Sequence, residues 1–330
     1  MIRLSPLKLL PLLLPLSLAA VCAVVWLPAL SGWSNHPQLL SIKSGFLGIL
    51  LEALPYVLLG AFLSSLLKLF VPDAWITRAV PSGPVSGSLF GVLLGLLFPV
   101  CECGMIPLIR RLMLKGMPLH VAIVFLLSGP IVNPIVFGAT MAAFRIRPEL
   151  AYVRMALAAA VSVAVGLMVY LIVRRPPLRL TAPRETSGLH DARTVSGKAA
   201  AVFTHTAEEF FEMGKFLIFG CLLTACIQTF MDHGSLHDIG ERPLGSYVFM
   251  LGLAFVLSLC STSDAFIAST FLHSFPPGAL LAFMVFGPML DFKNSLMLLS
   301  LFKTRFALLL FFLVLCAVFV GSVWMGRTLA

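Results

Sequence analysis

Two stretches of this chain leave little choice of solvent. Residues 150–173 carry no charge beyond Arg154, and residues 306–325 carry none at all. Each is long enough for a helix to cross a hydrocarbon core, which takes roughly 20 apolar residues. Over the 330 residues, hydrophobic side chains make up 59% and charged ones only 11%. A soluble domain of this size carries about a quarter charged residues and needs them to cover its surface. The apolar runs are continuous and Leu-rich rather than alternating, which excludes the pattern of a β-barrel. The expected fold is an all-α polytopic membrane protein with about nine hydrophobic segments.

The segments fall into two groups. After Arg3 and Lys8, an apolar run interrupted by Pro11, Pro15 and Pro28 reads as an uncleaved helix rather than a signal peptide, followed by a polar connection over residues 31–44. Segments near 45–70, 87–100, 118–143 and 150–173 form the first group, and segments near 209–231, 246–271, 278–301 and 306–325 the second. Residues 108–117, with Arg110, Arg111 and Lys115, read as an amphipathic or cytoplasmic connection. Between the groups lies a polar linker, residues 174–204, with Arg174, Arg175, Arg179, Arg184, Arg193 and Lys198 against Glu185 and Asp191. Loops this basic stay in the cytoplasm, so the net charge of +9 reads as a determinant of orientation and not as a nucleic-acid surface. The organisation expected is therefore an N-terminal helix and connection (1–44), a first unit (45–173), a basic cytoplasmic linker (174–204) and a second unit (205–330).

The two units echo one another at an offset of about 159 residues. Glu52 matches Glu212, Gly60 matches Gly220 and Cys101 matches Cys260; Gly129, Pro130 and Asn133 match Gly287, Pro288 and Asp291. Matches at Glu, Cys and Gly-Pro carry weight that Leu and Val matches do not. The expectation is two four-segment structural repeats whose helices are broken by Pro and Gly. Such breaks, in corresponding positions of two halves, mark transporter sites near the bilayer midplane. Whether the repeats are parallel or inverted depends on whether one segment in each is re-entrant.

The chemistry gathers at the breaks. Pro99, Gly104 and Pro107 bracket Cys101, Glu102 and Cys103. On a regular helix the two thiols would point to nearly opposite sides, whereas an unwound segment lets both converge, with Cys260 approaching from the other half. Thiolates suit soft acceptors such as Cu(I), Zn(II) or a trivalent metalloid, which makes Cys101, Cys103 and Cys260 candidate metal ligands. The candidate substrate-binding set is Cys101, Glu102, Cys103, Asn133, Cys260, Asp264 and Asp291; the candidate coupling set is Glu52, Glu212, Lys293 and Asn294. Carboxylates in apolar segments must be neutral, paired or facing water, and Lys293 is near enough to Asp291 to pair with it. Interhelical hydrogen bonding is the competing duty for Asn133 and Asn294. Cys22, Cys221, Cys226 and Cys316 read as small apolar fillers, and no spaced cysteine framework indicates disulfides. His233 and His237 in the loop 231–241 read as ordinary loop residues sooner than as a metal site.

The paired stretches CECGMIPLIRRLMLKGMPLHVAIVFLLSGPIVNP and CSTSDAFIASTFLHSFPPGALLAFMVFGPMLDFKNS resemble those of the bacterial predicted-permease family that includes the ArsP organoarsenical efflux permeases. The resemblance covers about residues 45–325 and rests on the run from Cys101 to Pro107 and the run from Gly129 to Pro134. It implies a multi-pass inner (plasma) membrane permease acting as an exporter. Its expected partners are membrane lipid and a small-molecule or ion substrate, with an accessory protein, soluble or membrane-bound, left open; no cofactor and no nucleic acid are expected. The alternative is a transmembrane thiol-disulfide carrier that exchanges electrons through Cys101 or Cys103 with Cys260. No Gly-x-Ser-x-Gly elbow, His-rich metalloprotease motif or Walker loop is present, so an enzyme is not expected, and pumping must draw on an ion gradient or a separate ATPase.

Overall fold

A computed structural model describes residues 37–70, 80–81, 83–98, 100–173, 195–230, 243–272 and 274–329. The N-terminal apolar run and the histidine-bearing loop lie outside these. The described residues form twelve helices: α1 Pro37–Phe70, α2 Pro84–Leu97, α3 Glu102–Leu114, α4 Leu119–Ser128, α5 Pro134–Ala143, α6 Glu149–Ile172, α7 Val195–Phe230, α8 Pro243–Leu257, α9 Ser263–Thr270, α10 Pro277–Met289, α11 Phe292–Leu301 and α12 Thr304–Leu329. Among the described residues, four stretches are long and apolar enough to cross a membrane: Leu40–Leu66, Glu149–Ile172, Pro277–Leu301 and Thr304–Thr328. Both α1 and α7 begin inside residues whose polarity suggested connections, because a long helix continues beyond the apolar window.

The direction of each helix follows from its close contacts. Gly45 of α1 faces Ala225 of α7, and Ser65 Oγ donates to the Val202 carbonyl at 2.9 Å, so these two helices are antiparallel. Let the near face be the one where α1 begins. Gly60 meets Gly104, and Ser64 Oγ donates to the Pro107 carbonyl at 3.4 Å, so α3 runs beside α1 toward the far face. A Cβ on Gly87 would meet His120 and Val121, one on Gly91 would meet Val124, and one on Gly95 would meet Ser128. Hence α2 and α4 lie parallel with their starts level. Since α3 delivers the chain to the start of α4, α2 and α3 form a hairpin that dips from the far face and returns. Its tip lies between the end of α2 at Leu97 and the start of α3 at Glu102.

This corrects two expectations. The segment near 87–100 does not cross: α2 has 14 residues, about 21 Å at 1.5 Å each, short of the roughly 30 Å core. Residues 108–114, expected as an amphipathic or cytoplasmic connection, form the outgoing arm of the hairpin, with Arg110 and Arg111 buried. Long aliphatic stems let such side chains sit against apolar neighbours.

The chain then crosses through α4, a break at 129–133 and α5, and returns through α6, whose Gly166 packs against Val124 of α4. After α7, α8 and α10 again lie parallel and level, with Gly278 against Tyr247 and Gly287 against Ala254. A second hairpin, α8–α9, therefore dips from the near face with its tip at 258–262. The crossing through α10 and α11 breaks at Leu290 and Asp291, and α12 returns, its Gly326 beside Gly278. At the centre stand α4 and α10, apolar on every side and almost wholly buried. An all-round hydrophobic helix requires that environment. Large apolar side chains such as Leu51, Leu97, Leu171 and Trp324 face outward, as they do in lipid.

Candidate functional site

Each broken helix restarts on a capped turn. Asn133 is extended, and its Oδ1 accepts from the Val136 N–H at 2.9 Å while its Nδ2 donates to the Gly129 carbonyl at 3.1 Å. Asp291 is extended too, and its Oδ1 accepts from the Asn294 N–H. The side chain in each case supplies the first turn with an acceptor that the interrupted helix cannot. Pro130 and Pro288 make these breaks where they fall, since a proline has no N–H to give the preceding turn.

The first hairpin tip ends at Cys101, the residue preceding α3. Its carbonyl accepts from the N–H groups of Gly104 and Met105 at 3.1 and 3.2 Å. Cys103 follows within the first turn, and both residues line the same cavity. Leaving the helix at Cys101 is what allows this. Glu102 occupies the first helical position, where the positive end of the helix dipole favours a carboxylate.

From the other half comes Lys293, buried on the first turn of α11. Its Nζ stands 3.7 Å from Asp291 Oδ2 and 3.9 Å from Glu102 Oε1, distances for ion pairing and not for a hydrogen bond. Around this group lies a cavity of about 20 Å³ lined by Glu52, Cys101, Glu102, Cys103, Cys260 and Lys293, together with Ile49, Ala53 and Ser258. The membrane-crossing part of α1 is Leu40–Leu66, so Glu52 and Ala53 place the cavity at mid-depth. Both hairpin tips reach it. Glu52 itself is exposed at the rim, where its Oε1 accepts from Ser263 Oγ at 3.3 Å. Ser258, on the second tip, holds φ at 47°. A non-glycine residue in the left-handed region is strained, and such strain is found where surrounding structure fixes a functional loop.

Among the described residues no three His, Cys, Asp or Glu side chains are already arranged to hold a metal ion. The thiols line one cavity without converging on one point, and all are free.

The residues singled out from sequence therefore divide. Cys101, Glu102, Cys103, Cys260, Glu52 and Lys293 meet at the cavity; Asp291 pairs with Lys293, and Asn294 is buried beside it on the first turn of α11, its N–H on Asp291. Asn133 is committed to its cap. Asp264 is held elsewhere: Arg154 Nη2 donates to its Oδ1 and Oδ2 at 2.9 and 3.0 Å and also contacts the carbonyls of Ser261 and Met284 at 3.0 Å, while Nη1 donates to Thr140 Oγ1 at 2.7 Å. Glu212 lies on α7, and its side chain is outside the described residues.

The family model of the ArsP_1 predicted permeases matches residues 38–326, which includes both hairpins, both broken crossings and every residue of the cavity. The chain belongs to this predicted permease family. It is 44% identical over 284 residues to the UPF0718 protein YcgR of Bacillus subtilis, covering 86% of this chain and 96% of that one. It is 36% identical over 278 residues to a Streptococcus mutans protein described as a putative two-component membrane permease complex subunit, covering 83% and 92%. No solved structure matches. The permease is thus a multi-pass plasma-membrane protein of transporter character.

Two side chains at this cavity and its rim escape a reading of the permease's sequence. Ser258 and Ser263 look like loop polarity. Only their position on the second hairpin brings them to the cavity and its rim. Arg154 carried a usable signal, since a fully buried arginine inside an apolar span must have a partner.

Proposed function

We propose that this protein is a secondary-active exporter of a small soft cargo, a metal ion, metalloid or organometalloid, held at the cavity between the two hairpin tips. The observation that carries this reading is the meeting of Cys101 and Cys103 from one hairpin with Cys260 from the other, at mid-depth of α1. Soft donors at that depth suit a thiophilic cargo, and a site shared by two tips is one that relative motion of the halves can assemble or open.

The mechanical frame is a pair of inverted repeats. Helices α1–α6 and α7–α12 each comprise a long helix, a hairpin, a broken crossing and a return, and the antiparallel packing of α1 on α7 exchanges the faces. Three crossings per half produce that inversion. Lys115, Lys303 and Arg305 stand at the far face and Lys43, Arg145, Arg147 and Arg327 at the near one; the basic linker joins the far-face ends of α6 and α7 in sequence, and its excess of arginine assigns that face to the cytoplasm. The first hairpin then opens from the cytoplasm and the second from outside, with the cargo passed between their tips. Glu52, Glu212, Lys293 and Asn294 serve ion coupling, and Asn133, Asp264 and Asp291 serve the site by holding its breaks and tips in place. The protein is a transporter and not an enzyme, and the description of the Streptococcus relative supports an accessory membrane subunit here as well.

The test is survival and efflux in cells carrying wild-type protein or the Cys101→Ser/Cys103→Ser variant, across arsenicals, copper, zinc and thiol stress. The double variant inserts at wild-type level and loses transport. Cys316→Ser, on the outward side of α12, is the silent control. Equal growth of all strains in every condition overturns soft-cargo export.

A further inference from the structure

Behind the thiols, three buried oxygens have no hydrogen-bond partner: Glu102 Oε2, Asp291 Oδ2 and Asn294 Oδ1. Glu102, Asp291 and Asn294 are each nearly or fully buried, and Lys293 stands among them too far from either carboxylate for a hydrogen bond. An unsatisfied buried acceptor costs about 1–3 kcal/mol, more if charged, so three in one cluster need an explanation. Charge gives one. Two carboxylates face a single ammonium, so the group balances only with a proton or a second cation, and a proton on Glu102 would leave Oε2 a buried donor with no acceptor. Glu52 does not alter this count, because it is exposed and engaged with Ser263.

We infer that Glu102 Oε2, Asp291 Oδ2 and Asn294 Oδ1 form the binding site of the coupling ion, a hard monovalent cation such as sodium, and that Lys293 is a tethered cation which the ion displaces. The donor set decides the class of ion. An amide oxygen does not accept a proton at neutral pH but is an ordinary ligand for hard cations, and so are carboxylate oxygens. A single positive charge balances the residual negative one, whereas a divalent ion would reverse it.

The displaced ammonium has one place to go, because Lys293 also lines the thiol cavity. With sodium between the carboxylates, Lys293 moves among Cys101, Cys103 and Cys260 and competes with a cationic cargo there. When sodium leaves, the ammonium returns to Glu102 and Asp291 and the thiols are released to bind. One side chain then couples two sites, and linkage requires each ligand to weaken the other by the same factor. This deepens the permease reading above and rests on it for the identity of the second site, but the sodium site itself is measurable without any cargo.

The experiment is equilibrium binding of ²²Na⁺ to the full-length protein purified in detergent, with choline chloride holding ionic strength constant, alongside thermal melting in the same salts. Wild-type protein binds sodium, and sodium raises its melting temperature above that in choline. Asn294→Ala weakens binding by about tenfold or more, the scale set by loss of a supporting group in a metal site. It retains its fold, because the cap on Asp291 is made by the Asn294 backbone N–H. Asn294→Asp, nearly isosteric, restores an oxygen, adds charge and tightens binding. Cys101→Ser/Cys103→Ser binds sodium as wild type does. Absence of sodium binding to wild type, or equal binding by wild type and both Asn294 variants, overturns the inference and leaves soft-cargo export standing with a different driving ion. Sodium binding together with failure of every cargo assay does the reverse.

Discussion

Arg154 on α6 holds Asp264 on α9 through one terminal nitrogen, 2.9 and 3.0 Å from the two carboxylate oxygens, with both side chains buried. The pair ties the return helix of the first half to the hairpin of the second. Two desolvated charges cost several kcal/mol each to bury, so neither tolerates loss of its partner. Arg154→Met alone destabilises the protein by about 3–5 kcal/mol, as Asp264→Asn alone does to a lesser degree, and the double replacement recovers much of the loss. A double-mutant cycle read from melting in detergent measures this. Additive losses would show that the two residues act separately.

Gly60 and Gly104 let α1 and α3 touch backbone to backbone. A Cβ at Gly60 would lie 2.5 Å from the Gly104 Cα and carbonyl oxygen, and no flexible side chain can move aside to accommodate it. Gly60→Ala therefore pushes the hairpin arm away from α1 and lowers both melting temperature and transport. Gly48, on the same helix, has nothing within 4 Å. Gly48→Ala leaves stability unchanged or improves it by up to about 1 kcal/mol, the helix-propensity difference. Matching effects of the two substitutions would remove the close approach as the cause.

Much of this arrangement is legible in the chain, and the reason is chemical. Proline and glycine break helices wherever they fall, so Gly129-Pro130 and Gly287-Pro288 announce the interrupted crossings. Cysteines and carboxylates at such breaks have little other use, and Cys101, Glu102, Cys103 and Cys260 do meet. What resists reading is direction. An apolar run that ends in a break looks the same whether the chain goes on or turns back, and only the level starts of α2 and α4 reveal a hairpin. Arg110 and Arg111 read as part of a connection because a short basic stretch between apolar segments usually is one. Asp264 and Asn133 look like ligands because an apolar sequence does not show that a distant Arg154, or the next turn of backbone, has already engaged them.

Ser258 offers a local test of the second tip. Its φ of 47° costs a side-chain-bearing residue roughly 1–2 kcal/mol that glycine does not incur. Ser258→Gly raises the melting temperature unless the hydroxyl serves the cavity it lines, and Ser258→Val lowers it. Transport assayed in parallel separates the two roles. A more stable Ser258→Gly that still transports makes the tip purely conformational, whereas a more stable variant that has lost transport assigns the hydroxyl to the cargo path.

Asp291 combines two duties that substitution can part. Its Oδ1 caps α11 and its Oδ2 faces Lys293, while Asn133, at the corresponding break of the first half, caps α5 and donates to the Gly129 carbonyl. Asparagine caps a helix as well as aspartate does, so Asp291→Asn keeps the turn and removes the charge. It folds with near wild-type stability and fails in transport, because Lys293 keeps Glu102 as its sole counter-charge. Asp291→Ala loses both, and Asn133→Ala loses the cap and the hydrogen bond to the Gly129 carbonyl, at about 1–2 kcal/mol, with no change of charge. Melting and efflux on the three variants resolve these contributions. Full transport by Asp291→Asn would mean that the carboxylate matters only as an acceptor for the Asn294 N–H, and the charge of this cluster would then have no part in moving the cargo.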